Sequence, residues 1–221
     1  CIFVHPPTAP LAPDDQAISP PPLSNPSNAV INGQSNPSKV NHMSNARKSV
    51  CVYCGSRLGA RPAYADDAAA TGRMLAANNW RLVYGAGDVG LMGEVSHATQ
   101  AAGGETFGVI PTHLLEREVA KRDLSTIIIT ETMHERKKVM FMNADVIVVL
   151  PGGAGSLDDF FEVLTWAQIG LHKKPILLLN GSGYWTPLVD LLDHIITQGF
   201  AAPSLTSHFQ TVSDAAAVVN L

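Results

Sequence analysis

Charge is scarce in this chain: Asp, Glu, Lys and Arg make up 15% of 221 residues, against roughly 25% in an average soluble domain. The polar surface therefore has to come largely from Ser, Thr, Asn, Gln, His and backbone. Positive charge is not clustered either. The formal net charge is −4 and there is no long Lys/Arg block, which argues against a duplex-binding face, because neutralising phosphates takes clustered cations. No nucleic acid partner is expected. Cysteine is limited to Cys1, Cys51 and Cys54, too few for a disulfide scaffold. Cys51 and Cys54 have no second pair to complete a zinc site, and the eight histidines show no paired ligand spacing; no metal is expected. No apolar run approaches the ~20 residues of a membrane-spanning helix, and a lone IFV triplet at residues 2–4 is not the core of a signal peptide. The expectation is a reduced, soluble, cytoplasmic protein.

Residues 1–42 hold nine of the fifteen prolines and three charged side chains, Asp14, Asp15 and Lys39. With repeated Ser and Asn and no apolar period, such a stretch cannot bury enough surface to offset its ordering entropy. A disordered tail is expected there, and a single domain over 43–221. From Ser49 onward, short apolar segments alternate with helix-length ones: SVCVYC (49–54), RLVYG (81–85), ETFGVIP (105–111), STIIIT (125–130), DVIVVLP (145–151) and PILLLN (175–180). Their continuous Ile/Val/Leu runs suit strands covered on both faces, and the alternation suggests parallel βαβ units. Helices are expected over 60–78, 91–102, 134–144, 157–168 and 185–198, with a short strand and helix closing the chain. The fold class is a doubly wound, Rossmann-like α/β sheet, mostly parallel, with helices on both faces. In such sheets ligands bind at the carboxyl ends of the strands, so the residues just after each strand matter most.

Four of those loops are glycine-bearing or charged. CGSRLG, with Ser56, follows the first strand; GAGDVGLMG, with Gly85, Gly87 and Gly90, follows the second; a turn into HERKK follows the fourth; PGGAGSLDD follows the fifth. Glycines there let backbone N–H groups approach an anion, and the following helix N-terminus adds a favourable dipole. The second loop matches the dinucleotide fingerprint in letters, yet it follows the wrong strand. VIPT also stands where a ribose-binding acid belongs. PGGAGS is the stronger site, with Gly152, Gly153, Ala154, Gly155 and Ser156 as candidate phosphate contacts. It lacks the Lys of a P-loop, so a nucleoside monophosphate fits better than a triphosphate.

In the helix after this loop, Leu157, Phe160, Phe161 and Leu164 repeat at helical spacing and are expected to form its buried face. Asp158, Asp159 and Glu162 lie off that face. Acids in a first turn often serve only the helix dipole, but three carboxylates beside a phosphate loop repel an anion unless one is used in chemistry or paired with a cation. Arg136 and Lys137 are the candidate partners. They follow Thr132 and Glu135, whose spacing is that of a capping box.

Taken together, CVYCGS, YGAGDVGLMG, HERK and PGGAGSLDDFFEVLTWAQIGLHKKPILLLN resemble the Lonely Guy family of cytokinin-activating phosphoribohydrolases, across roughly residues 49–200. The resemblance implies a Rossmann-like homodimer or larger homo-oligomer. The reaction it implies is hydrolysis of the N-glycosidic bond of N6-modified adenosine 5′-monophosphates, often also of AMP, with no cofactor. It matches the family's acidic residue to Glu118, its Arg-Lys pair to Arg136 and Lys137, its PGGxGTxxE loop to Pro151 through Asp159, and its Thr before Trp to Thr165. Ser156 replaces the family Thr, Asp159 replaces its final Glu, and Ala86 stands where a glycine is usual. On this reading Asp159 and Arg136 are catalytic, with Glu162 the alternative carboxylate. The rival is a non-catalytic nucleotide or molybdenum-cofactor carrier of the same fold.

Overall fold

A computed structural model describes residues 47–115 and 121–220. The expected tail over 1–42, and Glu118, lie outside the described residues. The elements are β1 (Ser49–Tyr53), α1 (Pro62–Ala77), β2 (Arg81–Tyr84), α2 (Gly90–Ala101), β3 (Thr106–Pro111), β4 (Thr126–Thr130), α3 (Met133–Met142), β5 (Val146–Val149), α4 (Ala154–Gln168), β6 (Ile176–Leu179), α5 (Thr186–Thr197) and β7 (Gln210–Val212). The chain closes on a 3₁₀ turn, Ala216–Asn220, in place of the expected short helix.

All strands run parallel in the order β4-β3-β2-β1-β5-β6-β7. The chain starts at the centre, builds outward through β2, β3 and β4, then returns to lay β5 on the other side of β1. That reversal opens a crevice beyond the carboxyl ends of β1 and β5, because the connections on either side leave in opposite directions. The Rossmann-like expectation is met, and the crevice position follows from it.

Alternate strand residues feed two cores, as the period-2 geometry requires. Val50, Val52, Leu82, Tyr84, Val146 and Val148 face α1 and α2, meeting Ala68, Leu75, Leu91 and Val95. Cys51, Tyr53, Val83, Val109, Ile147 and Val149 face the other way, against Met140 of α3, Phe160 and Leu164 of α4 and Leu192 of α5. Cys51 is thus a buried strand residue.

One correction concerns α4. It starts at Ala154, not Leu157, with Gly153 as an extended N-cap. Its buried face is Ser156, Phe160, Val163, Leu164 and Ala167, while Leu157 and Phe161 are only half-buried. The earlier start puts Gly155 and Ser156 inside the first turn, and Asp158 in the second.

Helices α1 and α2 pack so closely that Gly72 has no room for a side chain. A Cβ there would overlap the Val95 carbonyl and lie 2.9 Å from the Thr99 nitrogen. Gly72→Ala gains about 1 kcal/mol of helix propensity, but overpacking against rigid backbone costs about 1–3 kcal/mol and here forces the helices apart. The expected outcome is a Tm several degrees lower in thermal unfolding; a Tm equal to or above that of the native protein contradicts this packing account.

Candidate active site

Three loops meet at the crevice, and backbone hydrogen bonds knit them. Gly55 N–H donates to the Pro151 carbonyl at 3.0 Å, and Leu91 N–H donates to the Gly55 carbonyl at 3.0 Å. Gly90, at φ +60, lies so close to the Ser56–Arg57 peptide that a Cβ would overlap it. The β1, β2 and β5 loops are therefore one unit. They border a cavity of about 470 Å³ at the end of the sheet.

The start of α4 forms one side of this cavity. Gly153 caps it without a side-chain acceptor, so the first-turn N–H groups have no capping partner, which is what an anion-binding helix end requires. Gly153 and Gly155 both face open space. Ser156 is buried and its hydroxyl folds back over Gly152. Tyr184 Oη donates to the Gly152 carbonyl at 2.6 Å, which fixes that peptide from the far side.

Arg136 enters from α3, whose first turn is set by the expected capping box: Glu135 N–H donates to Thr132 Oγ1 at 3.2 Å while Thr132 N–H donates to Glu135 Oε2 at 3.2 Å. The guanidinium then donates from Nη2 to the Gly85 carbonyl at 2.9 Å and from Nε to the Val109 carbonyl at 3.2 Å. A Cβ on Gly85 would overlap this group. Gly85 thus makes room for the arginine, and Gly87 for Met92. Neither they nor Gly90 line the cavity. The loop expected to help hold a phosphate is thus crowded against Arg136, Met92 and the Ser56–Arg57 peptide, and only the adjoining Leu91 and Met92 line the cavity. Ala86, fully buried, sits at φ +59, where a non-glycine residue costs roughly 1–2 kcal/mol.

The three carboxylates of α4 separate by environment. Buried Lys137 pairs with Asp158 at 2.5 Å and with Glu162 at 3.6 Å, so both acids are matched by a cation. Burial works against the charge on Lys137, yet Asp158 and Glu162 outweigh it and hold its ammonium above the usual lysine value. Asp159 faces the cavity. Burial pushes its carboxyl up to about 6; Arg136 and Lys137 pull it down, and the neighbouring Asp158 and Glu162 charges push it further up. Carboxyls shifted this far in a cleft are frequent among working acids and bases, which makes Asp159 the candidate here.

Of the residues singled out by sequence, the cavity gathers Ser56, Arg136, Gly152, Gly153, Ala154, Gly155, Ser156 and Asp159. Lys137, Glu162 and Thr165 do not line it. Thr165 is exposed and donates to the Phe161 carbonyl at 2.6 Å. Arg57, Tyr64 and Tyr184, which are not among the candidates expected from sequence, also line the cavity. Arg57 has a local signal, as the cation of the CGSRLG loop. Tyr184 comes from beyond β6 and carries no local motif. Cys54 lines the cavity as well, but burial pushes its thiol up to about 12, so it is not a thiolate nucleophile at neutral pH. Among the described residues no group of three His, Cys, Asp or Glu side chains is placed to hold a metal, and no helix is long and apolar enough to cross a membrane.

The reversal point of this doubly wound sheet thus carries an open helix end, an arginine held by two carbonyls and a carboxyl raised to about 6. The family described as "Possible lysine decarboxylase" matches residues 92–221. A "Probable cytokinin riboside 5'-monophosphate phosphoribohydrolase" of Oryza sativa subsp. japonica is 43% identical over 179 residues, covering 81% of this chain and 78% of the relative. A cytokinin riboside 5'-monophosphate phosphoribohydrolase of Arabidopsis thaliana is 41% identical, covering 78% and 75%. The chain belongs to this Lonely Guy family of phosphoribohydrolases. Among solved structures, the molybdenum cofactor binding protein of Rippkaea orientalis superposes with a TM-score of 0.60 at 21% identity, over 79% of this chain and 94% of that one; that likeness is one of fold.

The Asp159 carboxyl has a higher proton affinity folded than unfolded, so folding is favoured at low pH and this contribution is lost as pH rises through about 6. The gap from the ordinary aspartate value of 3.8 to about 6 corresponds to about 3 kcal/mol at neutral pH. Asp159→Asn is therefore expected to be more stable than the native protein at pH 7.5 and equal to it near pH 4, measured by denaturant unfolding. A variant less stable at pH 7.5 contradicts a carboxyl whose proton affinity is raised on folding.

Proposed function

We propose that this chain hydrolyses the N-glycosidic bond of adenosine 5′-monophosphates, N6-modified or plain, giving free base and ribose 5-phosphate. Support comes from family membership and from one structural observation above all: Asp159, raised to about 6, shares a cavity with Arg136 and the uncapped N-terminus of α4. A carrier protein needs the anion-binding helix end, but it has no use for a carboxylate kept in that state.

The proposed chemistry follows from these groups. The 5′-phosphate sits on the N–H groups at Gly153, Ala154 and Gly155, beside Ser156. As the C1′–N9 bond breaks, positive charge develops on the ribose ring, and the ionised Asp159 stabilises it or takes a proton from the attacking water. Water oxygen bonds to C1′ and a proton passes to the leaving base. Arg136, held by two backbone carbonyls, is a fixed positive group that keeps Asp159 largely ionised at neutral pH and orients the sugar. Lys137 occupies Asp158 and Glu162, so neither competes for this role. Glu118, where the resemblance places a ribose or base contact, completes the proposal.

The same reading includes a homodimer or larger homo-oligomer acting in the cytoplasm. Exposed Met142, Ile169 and Leu171, at the ends of α3 and α4, suit such an assembly.

Purified protein incubated with AMP or with isopentenyladenosine monophosphate is expected to release base and ribose 5-phosphate, with adenosine a far poorer substrate. Asp159→Asn is expected to abolish release while nucleotide binding persists, and Asp159→Glu to match or exceed the native rate. Near-native turnover in Asp159→Asn, with activity lost in Glu162→Gln, transfers the role to Glu162. No product from either nucleotide, with tight binding retained, favours the carrier.

A further inference from the structure

Among the described residues, the charged side chains lining the cavity are Arg57, Arg136 and Asp159. Arg136 spends its Nε and Nη2 on the Val109 and Gly85 carbonyls, and its charge is set against Asp159. With Asp159 ionised, those two largely cancel. A phosphate monoester brings about −1.5 to −2 charges at pH 7, whereas the start of α4 supplies about half a positive charge. Without another cation the phosphate enters a cavity already holding a carboxylate, and it repels that carboxylate.

Arg57 supplies the missing charge. Its side chain is exposed and makes no hydrogen bond or ion pair among the described residues. Its backbone, by contrast, is fixed. Gly90 packs against the Ser56–Arg57 peptide, and Gly55, two residues earlier, is bonded to Pro151 and Leu91 and lies against Gly152. The chain thus holds the root of a guanidinium that has no polar partner among the described residues beside the open end of α4, and leaves the guanidinium itself to find a ligand.

We propose that Arg57 is the phosphate-selecting residue of this site, its guanidinium closing on the 5′-phosphate seated at the start of α4, so that the enzyme discriminates nucleotides from nucleosides. This rests on the hydrolase reading above. Guanidinium suits the task because its planar fork matches phosphate oxygens two at a time. Binding energy gained at the phosphate is available to the reacting centre, so the contact acts on turnover as well as on affinity. The GAGDVG loop then gains a second role: Gly85 seats one arginine for the carboxylate, and Gly90 seats the stretch bearing the other for the phosphate.

The test compares native protein with Arg57→Ala and Arg57→Lys. Two measurements are made: the ratio of kcat/KM for AMP to that for adenosine, and the rise in Tm produced by ribose 5-phosphate, a product that keeps the phosphate. Arg57→Ala is expected to lower the ratio by about 10- to 100-fold and to lose most of the Tm rise, with Arg57→Lys recovering part of both. Because the Arg57 side chain makes no hydrogen bond or ion pair among the described residues, the ligand-free Tm of each variant is expected to match the native value, which reports folding. An unchanged ratio, or a full Tm rise in Arg57→Ala, overturns the proposal. If the native protein cleaves neither substrate, the hydrolase reading fails, and the ribose 5-phosphate measurement still decides whether Arg57 binds phosphate.

Discussion

Close approach of three main-chain loops is the constraint on which this site depends. Where the sheet reverses between β1 and β5, the loops after β1, β2 and β5 come within a distance that side chains do not permit. A Cβ on Gly90 would overlap the Ser56 carbonyl carbon, one on Gly152 would lie 3.0 Å from the Gly55 nitrogen, and one on Gly85 would overlap the Arg136 guanidinium. In return, the helix end of α4, the root of Arg57 and the guanidinium of Arg136 are fixed relative to one another by backbone. Rigid positioning of this kind is worth more to catalysis than any single contact, since a misplacement of about 1 Å can cost on the order of a hundredfold in rate.

A second theme is the sorting of like charges. Asp158, Asp159 and Glu162 lie within two turns of α4, and the fold gives them different tasks through one buried lysine. Lys137 neutralises the two acids that do not line the cavity. Asp159 is left facing the cavity, with burial as the dominant influence on its carboxyl. The shorter Asp arm, in place of the family Glu, shares that cavity with Arg136 and the start of α4. An ionised Asp159 costs stability at neutral pH, the kind of strain that functional sites retain because other contacts pay for it.

Much of this was legible in the chain itself. Uninterrupted runs such as VIVV and ILLL announced strands covered on both faces, and the capping box at Thr132 and Glu135 located α3 and its arginine. The glycines were legible as close approaches but not as to what approaches: Gly85 looks like a phosphate contact and serves Arg136. That partner comes from fifty-one residues away, and no local pattern encodes it. The start of α4 at Ala154 is hidden in the sequence because Gly153, Gly155 and Ser156 are weak helix formers, while the uncapped end has its own use. Tyr184 was invisible for the reason that governs Gly85: its bond to Gly152 spans thirty-two residues and exists only once β5 and β6 are paired.

The account turns on Asp159 acting as a carboxylate in the free enzyme, with a proton affinity set mainly by burial and moderated by Arg136. The pH dependence of kcat/KM for AMP measures this most directly once the phosphate's own ionisation, also about pH 6, is separated by following ribose 5-phosphate binding over the same range, because that parameter then reports the free enzyme's ionisations. The account predicts activity that rises through an ionisation near pH 6 and levels off above it. A profile that is flat from pH 5 to pH 7.5, or that falls through this range as a required acid ionises, would contradict it.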